Sequence, residues 1–521
     1  METPVLKRRL PVVASCAIFA CAACSTPAAR NLGRKAAQSA LCSSARDDAW
    51  LSDPALCLVE YSSNVGFPRG MAFAPNGDLF VSAGDGVIVL YDDDGDGISD
   101  PSERAVFGSI SGLSHGIAFS PDGQYLYASS ATDVYRWPYV FGDRVARGAA
   151  VRVVSGMSPG GHSTRTLLVD SIGRLYVSIG SQGNLDIDPQ LRATRSQIRR
   201  FAPSGGLPAG GFDFESGEVI GSGMRNEVGI TFDSLGRMWG VENGRDQLID
   251  DRYGGDIHYD NPGEKLNRID GPGPTYFGYP QCWAEGDLPG GGGPGTEHAD
   301  QEMPADLLVS DDWCQNPANV RPPAAVMPAH WAPLGIVRYT GDLLPAGFRG
   351  DLFITSHGSW NREIGQVGRL VARARLLPNG VVQSIEPVVG EKGSNGELRQ
   401  GYWRVRPVDI QQGPDGALYF SDDLGASVFR IAARSSGALP DSGLTSDGGQ
   451  ISSANATSGC SAAPTGLEVG ALLGLLFLWR LNQAAPNLAH GSTRVRLGVA
   501  GASKPTASWS TRKSRQSRGR S

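Results

Sequence analysis

Between residues 70 and 421 apolar and polar positions alternate in short runs that break at glycine, the period-two signature of half-buried strands joined by tight turns. The stretch Gly70-Met71-Ala72-Phe73-Ala74-Pro75-Asn76-Gly77-Asp78-Leu79-Phe80-Val81-Ser82 is matched by Gly116-Ile117-Ala118-Phe119-Ser120-Pro121-Asp122-Gly123-Gln124-Tyr125-Leu126-Tyr127-Ala128. The layout returns over 167–178 around Gly173, over 229–240 around Gly236 and over 408–421 around Gly416, and in diverged form over 349–355 around Gly350. Asn-Gly and Asp-Gly supply the positive φ that a hairpin turn needs, and β-branched and aromatic neighbours suit a pleated sheet. From Gly77 to Gly416 the six turns are spaced by about 68 residues on average, room for one four-stranded blade each. Closing six blades into a ring removes the sheet edges that make long β arrays aggregate. The pattern predicts an all-β chain, a six-bladed β-propeller over 50–435.

Composition narrows this further. Seventy Gly and 34 Pro in 521 residues, with only 19% charged, exclude helix bundles and coiled coils, and 40% hydrophobic residues suffice for a large core. The net charge of −6 is unevenly spread: residues 483–521 carry eight Lys/Arg and no acid, residues 1–40 carry six against one, so residues 41–482 carry −19. Nucleic acid is excluded as a partner of that body, which suits neutral or cationic ligands and metal ions.

The termini point to export. Lys7, Arg8 and Arg9 precede an apolar run over 10–24, the layout of a secretory signal peptide (1–24) and too short to span a bilayer. Cys21 or Cys24 after small residues resembles a lipoprotein cleavage box, the plain alternative being a signal that contains cysteine. A linker over 25–49 precedes the propeller, and a Ser/Gly/Asp/Asn-rich linker over 436–462 follows it. Gly459-Cys460, a hydrophobic segment within 463–482 and a basic tail over 483–521 resemble a myxobacterial Cys-containing sorting signal. The expectation is a periplasmic or outer-surface protein whose only membrane contact is a terminal anchor.

Four cysteines remain in the body, and proximity pairs Cys42 with Cys57 and Cys282 with Cys314 among three formal connectivities. Neither pair has the short spacing of zinc ligands. The second pair lies in the longest interval between repeats, where it pins a loop over one face. In the first blade Asp92, Asp94, Asp96, Gly97 and Asp100 give the alternating carboxylates of a calcium loop, read as lacking the distal glutamate of a full EF-hand. His115 and His330 precede repeat strands and read as hydrogen-bonded positions at the ring's mouth.

Seven motifs in order resemble the pyrroloquinoline-quinone-dependent soluble aldose (glucose) dehydrogenases and their L-sorbosone-dehydrogenase-like relatives. They are Gly161-His162-Ser163-Thr164-Arg165, Ser178-Ile179-Gly180-Ser181-Gln182-Gly183-Asn184, Gly223-Met224-Arg225-Asn226-Glu227, Glu242-Asn243-Gly244-Arg245-Asp246, Phe277-Gly278-Tyr279-Pro280, Ala329-His330-Trp331-Ala332-Pro333 and His357-Gly358-Ser359-Trp360-Asn361-Arg362. The resemblance covers residues 60–432 and implies oxidation of a sugar or related alcohol or aldehyde by hydride transfer to the quinone, with Ca2+ as second cofactor and a respiratory carrier or other electron acceptor as partner. It implies His162 as the catalytic base, Arg225, Asn226 and Arg406 as quinone-binding residues, and the carbonyls of Gly244 and Arg245 as calcium ligands, with Glu264 and Asn267 opening a structural calcium region.

Four positions depart from that pattern, one of them Arg245, which is usually Pro in the well-studied branch. Gly161 stands where an Asp orients the base, Val408 stands where a second late Arg belongs, and the Lys expected at the end of the fifth blade's strand is missing, so His357 or Arg362 replaces it. Two other functions compete with the leading reading: a non-catalytic carbohydrate- or partner-binding propeller with a degenerate quinone site, and a calcium-dependent lactonase-type propeller, since fold alone does not fix chemistry.

Overall fold

The structure, a computed structural model, describes residues 41–269 and 275–434. The expected signal peptide with Cys21 and Cys24, the linker over 436–462, Cys460, the hydrophobic segment and the basic tail lie outside the described residues. Among the described residues no helix is long and apolar enough to cross a membrane.

Each predicted hairpin forms the two inner strands of an antiparallel blade. Blade 1 pairs Pro68–Phe73, Leu79–Ala83, Gly86–Leu90 and Arg104–Ser109, and blade 2 pairs Leu113–Phe119, Tyr125–Ser130, Val134–Pro138 and Val151–Ser155. Blade 3 contains Leu167–Val169, Leu175–Ile179, Gln197–Phe201 and Glu218–Ser222; blade 4 contains Glu227–Phe232, Met238–Glu242, Glu264–Arg268 and Ala325–Met327. Blade 5 is Pro333–Arg338, Leu352–Ser356, Leu370–Leu376 and Val382–Lys392. Blade 6 takes Pro407–Gln412, Leu418–Asp422 and Ser427–Ala433 from downstream of blade 5 and its outer strand, Leu56–Ser62, from upstream of blade 1. That exchange closes the ring. All six repeat glycines have positive φ, from 66° at Gly123 to 100° at Gly350.

The cores lie between blades. Phe80, Phe107 and Trp137 pack in one such layer between blades 1 and 2, and Tyr61, Met71, Val81 and Tyr419 in the layer that seals blade 6 against blade 1. Each fully buried side chain of this size stabilises by about 1.5–3 kcal/mol. The repeated sequence also serves the joints. Ser129 Oγ donates to Arg165 O at 2.6 Å, Thr355 Oγ1 to Val408 O at 2.6 Å and Ser421 Oγ to Arg69 O at 2.6 Å, each reaching the inner strand of the next blade. Gly70 and Gly116 let these inner strands approach, because a Cβ at either would strike the neighbouring carbonyl of His115 or Arg165. The six inner strands enclose an axial cavity of about 380 Å³.

Sheet edges are covered by borrowed strands. Phe212–Asp213 adds to blade 2, Thr275–Tyr276 to blade 3 and Ala49–Leu51 to blade 5. The linker expected over 25–49 therefore already packs from Leu41 onward, where Leu41 and Cys42 are buried against Cys57 and Val59. Both expected disulfides form, Cys42–Cys57 and Cys282–Cys314. The second pins the insertion between the last two strands of blade 4.

Candidate active site

The end of the ring where inner strands begin and second strands finish gathers the chemistry. His162 lies on an irregular loop before blade 3. Two buried guanidiniums hold that loop through its carbonyls: Arg165 donates to His162 O at 2.7 Å and to Ser158 O at 2.8 Å, and Arg195 donates to Gly160 O at 2.9 Å and Gly180 O at 2.8 Å. His162 Nδ1 is 2.9 Å from Ser181 Oγ and 3.1 Å from Ser181 O. The Ser181 hydroxyl gives its own proton to Gly183 O at 2.7 Å, so Nδ1–H is the donor and Nε2 keeps the lone pair. Burial, with the Arg225 charge adding to it, pushes the imidazole down to about 4, leaving it neutral at pH 7.

Ser181 also ties this imidazole to the expected quinone clamp, since its N–H donates to Arg225 O at 2.7 Å. A Cβ on Gly180 would collide with Asn226 Oδ1 and stand 2.7 Å from His162 Cβ, so His162 and the Arg-Asn pair share one cradle. The Arg225 guanidinium donates to Asn184 O at 3.2 Å and Asn184 Oδ1 at 3.1 Å and pairs with Asp246 at 3.1 Å. Asn226 Nδ2 donates to Asn243 Oδ1 at 3.2 Å. Asn361, on the loop after blade 5's second strand, bonds the other oxygen of Asp246 at 2.5 Å and links the His357 loop to the cradle.

Across the mouth stands a second group. Arg406 Nε donates to His357 O at 3.0 Å, and His357 Nε2 lies 3.0 Å from both oxygens of Asp423. Arg69, from the start of blade 1, pairs with the same carboxylate at 2.6 Å. Burial pushes His357 down to about 4, against the pull of Asp423. Beneath it His115 lies within the inner strand of blade 2 and lines the axial cavity, with Nδ1 unpartnered among the described residues. Among the described residues no hydrogen bond is thus made at His115 Nδ1, whereas His330 Nε2 bonds His258 O at 2.6 Å.

The family follows from the whole propeller: residues 55–434 match the description TrAA12-like. The chain belongs to that family. It is 29% identical over 409 residues to a pyrroloquinoline quinone-dependent pyranose dehydrogenase of Coprinopsis cinerea, covering 71% of this chain and 53% of that protein. A pyrroloquinoline quinone-dependent sugar dehydrogenase of Hypocrea jecorina is 35% identical over 318 residues, 57% of this chain and 70% of that one. The holo form of the quinone domain of the Coprinopsis cinerea pyranose dehydrogenase superposes with a TM-score of 0.64 at 26% identity, covering 74% of this chain and 97% of that domain. The chain spans about half the length of the Coprinopsis relative.

The departures of this TrAA12-like chain acquire physical reasons. No Asp fits at position 161, where φ is +58° and a Cβ would stand 2.5 Å from Gln182 Cα; Ser181 orients the imidazole instead. Val408 is fully buried against Val228 and Leu334, an apolar position that could not hold a cation, and Arg69 brings a guanidinium to the mouth from blade 1. Arg69 and Asp423 belong to none of the seven motifs; two charged residues flanking the ends of repeat strands were the only signal for them. Of the two candidates for the missing Lys, His357 faces the group and Arg362 does not. Arg362 turns outward to Gly365 O at 2.6 Å, to exposed Asp260 at 3.3 Å and to the Tyr259 ring.

The metal expectations divide. Arg69, Arg225 and Arg406 are the guanidiniums at this end of the ring that would hold the carboxylates of a quinone, and Arg225 already donates to Asn184, Gly244 and Asp246. For calcium, the Gly244 oxygen already accepts from Arg225 Nη1 at 2.5 Å, and the Arg245 side chain pairs with Asp300 at 2.5 Å and with Glu302 of the insertion. A divalent ion there would share its oxygen with a guanidinium, so these residues do not fit calcium. Glu264 spends both oxygens on backbone N–H groups, Gly244 at 2.8 Å and Ala332 at 3.2 Å, and Asn267 bridges Glu227 and Glu242 at 2.9 and 3.0 Å; both are staples inside blade 4. At the opposite end of the ring, carboxylate oxygens of Asp92, Asp94 and Asp96 lie within 4.8 Å of one another, without Asp100. The distal glutamate read as missing is Glu103, twelfth in the loop, whose oxygens accept Asp93 N at 2.7 Å and Asp100 N at 3.1 Å.

Proposed function

We propose that this chain oxidises a sugar, or a related alcohol or aldehyde, by hydride transfer to bound pyrroloquinoline quinone, outside the cytoplasm. The observation that carries the reading is a neutral imidazole, His162, hydrogen-bonded through Ser181 to the backbone of the guanidinium residue Arg225. Bound there, the quinone supplies a two-electron acceptor. The protein's part is proton transfer and orientation: His162 Nε2 takes the substrate hydroxyl proton, Ser181 keeps the ring's other proton in place, and Arg69, Arg225 and Arg406 hold carboxylates. Electrons then pass to a respiratory carrier or another acceptor. Two disulfides support an oxidising compartment, and the loop over 92–103 holds a structural calcium ion in this reading.

Purified protein reconstituted with the quinone and offered pyranoses and a redox dye tests this. His162→Ala is expected to lower kcat by about 10²–10⁴-fold while quinone binding, read by absorbance, persists. Wild-type protein that leaves the quinone spectrum unchanged would overturn the reading in favour of a non-catalytic propeller.

A further inference from the structure

The His357 group contains a carboxylate that neither the sequence motifs nor the proposed proton transfer uses. Asp423 projects from the turn between the second and third strands of blade 6. Asp422 fixes that turn by accepting Arg406 N at 2.7 Å, Leu424 N at 3.0 Å and Gly425 N at 3.0 Å. The Asp423 side chain is 5% exposed and meets cations or donors from two other blades, Arg69 of blade 1 and His357 of blade 5. Nε2 of His357 is equidistant, at 3.0 Å, from both carboxylate oxygens. A carboxylate accepts only, so the imidazole must place its proton on Nε2. Arg406 bonds the His357 carbonyl and not the ring, so no cation competes for that choice.

We propose that Asp423 is a positioning residue that fixes His357 as the Nε2–H tautomer, leaving Nδ1 as a proton-accepting lone pair at the mouth, and holds Arg69 beside it as a carboxylate donor. The second half rests on the quinone reading; the tautomer half does not. Asp423 therefore makes His357 and Arg69 one unit, and His357 an acceptor, not the cation that a Lys at that place would be.

Two measurements on the full protein decide it. Nitrogen-detected imidazole spectra of the quinone-free protein, assigned by loss of one ring in His357→Gln, should show an unprotonated Nδ1 for His357 in wild type and a mixture of tautomers in Asp423→Ala. An Nδ1–H ring in wild type, or an unchanged tautomer in Asp423→Ala, overturns the proposal whatever the protein binds. Quinone dissociation constants then test the coupling. Asp423→Asn and His357→Gln are each expected to weaken binding about tenfold, the scale of one charged hydrogen bond, and the double variant no further than the weaker single one. Asp423→Asn binding as tightly as wild type, or single effects that multiply, would count against it. Should wild type bind no quinone, the functional reading fails and the spectra still decide the role of Asp423.

Discussion

His162 shows how burial keeps an imidazole neutral. Desolvation first and the Arg225 charge second disfavour the imidazolium, so the proton-accepting form persists as pH falls, until about 4. The acid limb of kcat/KM should therefore fall near pH 4 and not near the ordinary histidine value; a midpoint above 6 would show that the ring is not held as described. Position 161 makes the complementary point. Its left-handed backbone and the nearby Gln182 Cα leave no room for a side chain, so Gly161→Asp should destabilise by at least about 1–3 kcal/mol, read as a lowered melting midpoint, and should not improve turnover. Residue identity alone showed only that the Asp is absent, because the hydroxyl and carbonyl of Ser181 that meet the ring instead come from a different strand end.

At the level of elements, the recurring Gly and Ser of the hairpins are joints between blades as much as turn and strand residues. Ser129→Ala removes a buried hydroxyl that reaches Arg165 O, next to the loop carrying His162, and should cost about 1 kcal/mol while lowering activity by more than its effect on stability implies. The insertion in blade 4 acts similarly on the other flank. Tyr279 OH receives Asp186 N at 2.7 Å and donates to Asn184 O at 3.3 Å, buttressing the segment that presents Ser181 and Asn184. Replacing Cys282 and Cys314 by Ser should lower stability by about 2–4 kcal/mol and weaken quinone binding; denaturant midpoints and spectral titration would read the two effects. The hairpins were legible because turn chemistry and strand periodicity act over a dozen residues. The joints were not, because each bonds a neighbour that the chain reaches only after a full blade.

For the whole molecule, closure is the controlling feature. Leu56–Ser62 completes blade 6 with almost every side chain buried, so deletion of residues 41–62 should expose the edge of Ser427–Ala433 and yield aggregating protein by light scattering, where removal of residues before 41 should not. The acidic loop lies at the far end of the ring, so a chelator should lower the melting midpoint of calcium-loaded protein without changing the quinone spectrum; an unchanged midpoint would sink that site. Fold class, blade number and disulfide partners were determined by the amino-acid sequence, since each is written in local periodicity or proximity, and contiguous motifs singled out His162 and the Arg225-Asn226 pair that the ring brings into one cradle. Which cations share the mouth was decided only in three dimensions: Arg69 and Asp423 meet because the two ends of the propeller join in one blade, Arg362 turns away, and Arg225 lies against Gly244. Ring closure sets those distances, and no stretch of sequence shorter than the ring contains them.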